Sequence, residues 1–286
     1  MPTFIMPITE SVRNPTRPAG LVSVQQTTRT GGRVRADLEE IDWCTTPIGV
    51  ISLRRRREPV LHRDVYEVKI DEQFLMSSLF TVVEIELARL GLARTVGDDL
   101  AVLVGGLGLG YTARAVLEDA RVTSLTVVEA VGPVIDWHRR DLLPDTVGLA
   151  ADPRVALSED DFFALVGEER TIRRYDAVLV DIDHSPRHLL HPTHGAFYTS
   201  DGLSRLGSAL TPGGVFGLWS DDAPDPEFEA MLAEVFDQTE THVVSFPNPL
   251  IGGESASTVY LGRGIRRGVR DAGASDAAGV IASAGE

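Results

Sequence analysis

One cysteine, Cys44, stands in a chain of 286 residues, so no disulfide framework and no cysteine zinc cluster can form within it. Cysteine used this sparingly fits a reducing compartment, and a cytoplasmic location is expected. Lys69 is the single lysine among 27 basic residues, an arginine bias rather than a site. No run of about 18 apolar residues occurs, so no membrane span is expected. The opening "MPTFIMPITESVRNPTRPAG" lacks a basic segment followed by a long apolar one, and no signal peptide is read there. Basic charge is also short: 42 acidic groups leave the chain at −15. The deficit is uneven, since residues 1–95 carry 13 basic and 12 acidic groups, and residues 96–286 carry 14 and 30. The larger part repels a polyanion, so no nucleic-acid partner is expected, and it attracts a cationic small molecule. Acidity of this kind also serves plain solubility.

What is present is a hydrophobic fraction of 43%, enough for a substantial core. Residues 1–38 and 263–286 show no sustained period and are expected to be a flexible arm and a flexible tail. Residues 39–76 read as a small β unit: "GVISLRRRR" and "DVYEVKI" are β-rich, partly alternating and separated by Pro59 and a polar turn. The arginines 54–57 form either an anion patch or, because strand side chains alternate between faces, a half-solvated row. Residues 77–92 read as a helix leading into the main domain, 77–262. From residue 99 strands and helices alternate, which implies a mostly parallel sheet wound on both faces. The last two segments, "THVVSFP" and "STVYLGR", are strands in succession and predict a terminal antiparallel pair.

The stretch "VLVGGLGLGYTAR" (102–114) is the strongest local signal. Each interior glycine costs a helix about 1 kcal/mol, so this run favours a sharp turn or close approach of a ligand to the backbone. Gly105, Gly106, Gly108 and Gly110 lie at the end of the first strand of the alternating series, where doubly wound sheets bind ligands. The helix behind them offers free N–H groups. Glu129 ends the next strand, 19 residues after Gly110, where an acid can accept from a ribose diol. Asp160 follows the third strand, where it can meet an adenine amino group. Gly106, Gly108 and Gly110 give the GxGxG register; the competing dinucleotide register, Gly108–Gly110–Ala113, begins too far past the strand.

In this order "VLVGGLGLGYTA", "LTVVEA", "EDDFF", "YDAVLVDID" and "ALTPGGVF" resemble the S-adenosylmethionine-dependent methyltransferases, and more narrowly their spermidine synthase-like branch. The resemblance covers roughly 45–262. It implies a doubly wound seven-stranded sheet, Rossmann-like, with a small N-terminal β unit and a homodimer built through that unit. It places Gly106, Gly108 and Gly110 against the amino acid or aminopropyl part of the cofactor. Glu129 falls on the ribose, Asp160 on the adenine region, and Asp181 at the fourth strand end, facing the sulfonium. Three features of polyamine chemistry in that branch are changed here. Gly108 stands where the loop aspartate would be, His184 stands at the last acid of the motif after the fourth strand, and the N-terminal Tyr-His-Glu is absent. On those grounds methyl transfer from S-adenosylmethionine to a small, amine-containing acceptor is expected. Aminopropyl transfer from decarboxylated S-adenosylmethionine is the alternative, and a noncatalytic cofactor-binding homologue a further one.

Either transfer is an in-line attack on a carbon bonded to a sulfonium, and an amine nucleophile needs a base. Asp181 and Asp183 are the candidates, with His184 behind them. Read as two positions on one strand, the aspartates share a face. Their neighbours His184, His188, His191 and His194 invite a metal site, but Pro186 and Pro192 interrupt any helix that would align them, so a loop over the site is read and no metal is assigned. Tyr198 and Trp219 fall near the site; an aromatic face beside Asp221 and Asp222 suits a cationic amine.

Overall fold

The computed structural model describes residues 37–167 and 173–266. The arm expected over 1–38 lies outside them except for Asp37 and Leu38, and the tail expected over 263–286 is described only to residue 266. Four antiparallel strands come first: β1 (Leu38–Thr46), β2 (Gly49–Glu58), β3 (Arg63–Ile70) and β4 (Gln73–Ser77), paired in chain order. The arginines of β2 are consumed by ion pairs. Arg54 and Arg56 meet Glu67, Arg55 meets Glu39 and Asp64, and Arg57 meets Asp64. Arg56 also meets Glu58. No unneutralised anion patch results, because each guanidinium finds a carboxylate on its own or a neighbouring strand, while Arg57 stays exposed.

One face of this sheet buries Ile51, Leu53 and Val68 in the same core cluster as Val83 and Leu87 of α1 (Val82–Arg94). The helix begins later than residue 77, since β4 occupies the chain up to Ser77. Seven strands follow: β5 (Leu100–Gly105), β6 (Val122–Glu129), β7 (Val155–Glu159), β8 (Tyr175–Val180), β9 (Leu210–Ser220), β10 (Phe236–Asn248) and β11 (Gly253–Ile265). Between them run α2 (Tyr111–Glu118), α3 (Gly132–Arg139), α4 (Phe162–Gly167), α5 (Ser200–Ser208) and α6 (Pro226–Val235). The strand order is β10-β11-β9-β8-β5-β6-β7. Strands β5 to β9 are parallel, and β11 inserts antiparallel between β9 and β10. This is the expected α/β fold with a seven-stranded, mostly parallel sheet. Both faces are covered: Val102, Val104 and Leu179 pack toward α1 and α2, and Leu103, Val178 and Val180 toward α5 and the aromatic residues of α4 and α6.

The chain leaves β5 for β6 on one side, and later places β8 on the other side of β5. The carboxyl ends of β5 and β8 therefore border the point where the winding reverses, the usual ligand crevice of such sheets. Among the described residues no helix is long and apolar enough to cross a membrane.

Candidate active site

The glycine loop sits at that crevice. Gly105 closes β5, and its carbonyl accepts from Asp181 N at 2.8 Å. Gly106 has φ +91°, and a Cβ there would overlap the Asp181 carbonyl oxygen. Only glycine lets the loop pass this close to the end of β8. Gly108 is also left-handed, at φ +48°, with Met76 of β4 above it; a Cβ would lie 3.2 Å from the Met76 sulfur. Gly110 precedes α2 and lies against the His138 ring. The loop is thus walled by β8, by the N-terminal sheet and by α3.

Glu129 reaches back to the loop from the end of β6. Its Oε2 accepts from Leu107 N at 2.9 Å and Gly108 N at 3.3 Å, and its Oε1 from Val131 N at 2.9 Å. Burial pushes its pKa up, and these backbone donors oppose the shift. Asp160, half-buried just past β7, donates its backbone N–H to the Glu129 carbonyl at 3.2 Å. The structure brings the glycine loop, Glu129 and Asp160 together at the carboxyl ends of β5, β6 and β7.

Asp181 follows β8 directly and accepts from the Thr112 hydroxyl, Oδ2 to Oγ1, at 2.6 Å. Thr112 is buried in the first turn of α2, and its hydroxyl lies 3.3 Å from the Glu84 carbonyl oxygen. This contact brings α1 and its Glu84 to the site. Burial foremost, then the nearby Asp181 and Asp221 charges, raise the Glu84 pKa; burial foremost, then Glu129, raises that of Asp181. The pair titrates at about 6 and about 8, with the higher value on Glu84. Every charged group that moves either acid is itself an acid. Among the described residues no cationic side chain contributes to either shift.

Asp183 does not join this cluster. Strand β8 ends at Val180, so the two-residue periodicity that would align Asp181 with Asp183 has already lapsed. Asp183 is 0% exposed. It accepts from Leu190 N at 2.7 Å, from the Tyr198 hydroxyl at 3.0 Å and from His194 Nδ1 at 2.8 Å. Its expected roles as base and substrate contact are corrected: it knots the loop after β8. Tyr198 is corrected with it, because its ring is buried beside Phe163, Phe197 and Phe228 and its hydroxyl is committed to Asp183. His184 is half-buried, and its carbonyl accepts from Asp221 N at 2.7 Å. The other histidines disperse: His188 to Asp222, His191 to Thr193 and His194 to Asp183. Among the described residues no group of three or more His, Cys, Asp or Glu side chains is poised around a metal. Trp219, one residue before the end of β9, packs half-buried against the α1 side of the core, and its Nε1 is buried without a partner.

Glu84, Thr112 and His138 escape the sequence reading. Glu84 and His138 lie inside helix patterns and Thr112 at the end of the glycine-rich stretch, and only packing shows what each one touches.

The family model for the spermine/spermidine synthase domain matches residues 83–247, more than half of the chain. The chain belongs to that family. Its matched span begins one residue before Glu84 and includes every site element described above except Met76. A polyamine aminopropyltransferase of Bacillus subtilis is 26% identical over 151 residues, covering 51% of this chain and 52% of that protein, so the match spans about half of the relative's length. Spermidine synthase from Thermotoga maritima superimposes with TM-score 0.58 at 20% identity, over 78% of this chain and 72% of the other. A spermidine synthase bound to the transition-state analogue AdoDATO gives 0.57 at 19%, with the same coverage. A probable spermidine synthase from Corynebacterium glutamicum gives 0.56 at 17%, over 78% and 79%. These structures share the fold.

The family match and the aminopropyltransferase relative overturn the expectation of a methyltransferase using S-adenosylmethionine. They favour the alternative, aminopropyl transfer with the decarboxylated donor. The expectation rested on three departures, Gly108, His184 and the absent Tyr-His-Glu, and the family match extends over the chain in spite of them.

Proposed function

We propose that this protein transfers an aminopropyl group from decarboxylated S-adenosylmethionine to a small amine acceptor. The observation that carries the reading is the unbalanced acid group, Glu84, Asp181 and Asp221, beside the glycine loop at the crevice. The donor brings a sulfonium and an ammonium, and the acceptor a second ammonium. Each supplies positive charge beside the half-buried Glu84 and Asp181 and the exposed Asp221. The glycine loop admits the donor to the backbone. Glu129 Oε1, which accepts from Val131 N, is the oxygen placed for a ribose hydroxyl, since Oε2 already holds Leu107 N and Gly108 N. Asp160 lies toward the adenine.

The reaction is a displacement. The acceptor nitrogen bonds the aminopropyl carbon attached to sulfur, and the C–S electron pair passes to the sulfur as a neutral thioether leaves. The substrate carbon is already activated, so the protein's task is to align the nucleophile, hold the charges and take one proton. Isothermal titration calorimetry with decarboxylated S-adenosylmethionine, followed by chromatography of products formed with putrescine, tests the reading. Binding of the decarboxylated donor and appearance of an aminopropylated diamine are expected. Failure to bind that donor overturns it.

A further inference from the structure

We propose that Thr112 is a positioning residue for the transfer: its hydroxyl holds the Asp181 carboxylate ionised and in one orientation toward the cationic substrates. The inference rests on the aminopropyl-transfer reading and names what prepares its site. The backbone of Asp181 is already fixed, since its N–H donates to the Gly105 carbonyl at 2.8 Å and its own carbonyl lies against Gly106. The side chain is half-buried and would otherwise be free to turn. Among the described residues only Thr112 donates to it, Oγ1 to Oδ2 at 2.6 Å, and Oδ1 is left for a substrate cation.

The aim of the hydroxyl follows from its neighbours. A helical threonine commonly bonds the carbonyl three or four residues back. Here those are the carbonyls of Leu109 and Gly108, which meet Thr146 and His138 instead. Thr112 is 2% exposed, so water does not compete for it. Two acceptors remain: Asp181 Oδ2 at 2.6 Å and the Glu84 carbonyl at 3.3 Å. The hydroxyl has one hydrogen, and a bond to a charged oxygen is about twice as strong as a neutral one, so an ionised Asp181 takes it. A protonated Asp181 donates to Thr112 instead, and the threonine hydrogen then turns to the Glu84 carbonyl, the longer contact.

The surrounding charge makes this bond matter. Asp181 faces Glu129 from the end of β6 and Glu84 from α1, with Asp221 after β9 acting on Glu84 in turn. Asp183, two residues on, is turned away to Tyr198 and His194. Burial and the Glu129 charge raise Asp181 to about 6, and the Thr112 hydroxyl is the bond that opposes them. A carboxylate that titrates so close to neutrality depends on its donor to stay charged there. Charged, it attracts the sulfonium and the ammonium of the aminopropyl donor.

The test follows affinity for decarboxylated S-adenosylmethionine by calorimetry between about pH 5 and 8.5, where the ligand's own ammonium, near about 10.4, stays charged. Wild type, Thr112→Val, Thr112→Ala and Thr112→Ser are compared, with Thr211→Val as control. Thr211 donates to Asp176 at 2.9 Å, at the opposite end of β8. Wild-type affinity should fall as pH drops through about 6. In Thr112→Val and Thr112→Ala the fall should set in about one pH unit higher, leaving them about fivefold weaker than wild type at pH 6 and about tenfold weaker at pH 5. The gap should narrow toward pH 8.5. Thr112→Ser should recover most of what Thr112→Ala loses; that pair differs by the hydroxyl alone and decides the matter if Thr112→Val does not fold. Profiles of Thr112→Val and Thr112→Ala that coincide with wild type overturn this assignment alone. So does an equal loss at every pH, which marks a structural role, or a matching shift in Thr211→Val. Wild-type protein that does not bind the ligand overturns the function reading instead.

Discussion

The Nε2 atom of His138 lies 3.0 Å from the carbonyl oxygen of Gly108. The ring belongs to α3, is 1% exposed, and carries Thr146 Oγ1 at 3.5 Å on its other nitrogen. Thr146 also donates to the Leu109 carbonyl at 3.2 Å. A carbonyl can only accept, so His138 is the Nε2–H tautomer. Burial pushes its pKa down and keeps it neutral. His138 thus fixes the left-handed turn at Gly108 from beneath, without facing the substrate.

Replacing His138 by leucine should weaken donor binding by about tenfold while leaving kcat at saturation within a few-fold, because the loop loses its anchor and Gly108 a partner worth about 1–2 kcal/mol. Calorimetry and saturation kinetics separate the two effects. The sign with pH also follows. A histidine depressed on folding contributes stability that is full above its unfolded value, about 6.5, and is lost as pH falls through the lower folded value. Wild type should therefore lose melting temperature below pH 6.5 more steeply than His138→Leu does. Parallel acid melts would remove His138 from this account.

Glu84 and Asp181 work in the opposite sense. Their folded pKa values are raised from the ordinary 4.5 and 3.8, so the folded chain holds protons that the unfolded chain has released. The stability they contribute is full below about pH 4 and declines as pH rises through about 6 and about 8. Glu84→Gln removes the more shifted member. Its melting temperature should exceed that of wild type by about 3–6 °C at pH 8.5, with the gain vanishing near pH 4.5. Differential scanning fluorimetry across that range checks it, and a gain independent of pH would point to packing rather than charge.

The architecture and the grouping of the glycine loop with Glu129, Asp160 and Asp181 at strand ends are legible in the sequence for one reason: both follow from local pattern. Short apolar runs such as "LAVLVG" and the glycines after them report where a buried strand ends and a turn begins. Glu129, Asp160 and Asp181 follow because each lies at or just beyond a strand end. Asp183 misleads because β8 stops at Val180, and a two-residue spacing carries facing information only within a strand. Tyr198 misleads because its hydroxyl is satisfied in the interior. Glu84 is invisible because its partner, Asp181, is nearly a hundred residues away, and their encounter depends on α1 and α2 packing side by side over the sheet.

Gly106 offers a direct probe of that encounter. A Cβ at this position collides with the Asp181 carbonyl, which is backbone and cannot swing aside, and φ is +91°. Gly106→Ala should cost about 2–4 kcal/mol, or about 4–12 °C in melting temperature, and abolish measurable donor binding. Gly97 has φ +105° but open space around its Cβ, so Gly97→Ala should cost only the backbone strain, about 1 kcal/mol, and leave binding intact. Equal losses in the two variants would mean that strain alone, not the close approach to Asp181, governs the loop.

The strongest contrast between motif and structure falls on Asp183. As a base, it would give an Asn variant that melts like wild type and does not turn over. As the acceptor of three donors in a fully buried knot, it predicts the reverse. Asp183→Asn places an amide donor against a phenol, an imidazole and a backbone N–H, and at least one of them loses its acceptor. Breaking a buried network of this kind costs about 3–5 kcal/mol. The melting temperature should fall by about 6–15 °C. The fraction that remains folded at low temperature should keep kcat within about tenfold, because Glu84, Asp181 and Thr112 are untouched. Active-site titration with the decarboxylated donor, read beside circular dichroism, counts the folded fraction. A stable, fully folded, inactive Asp183→Asn would return the base to the loop after β8.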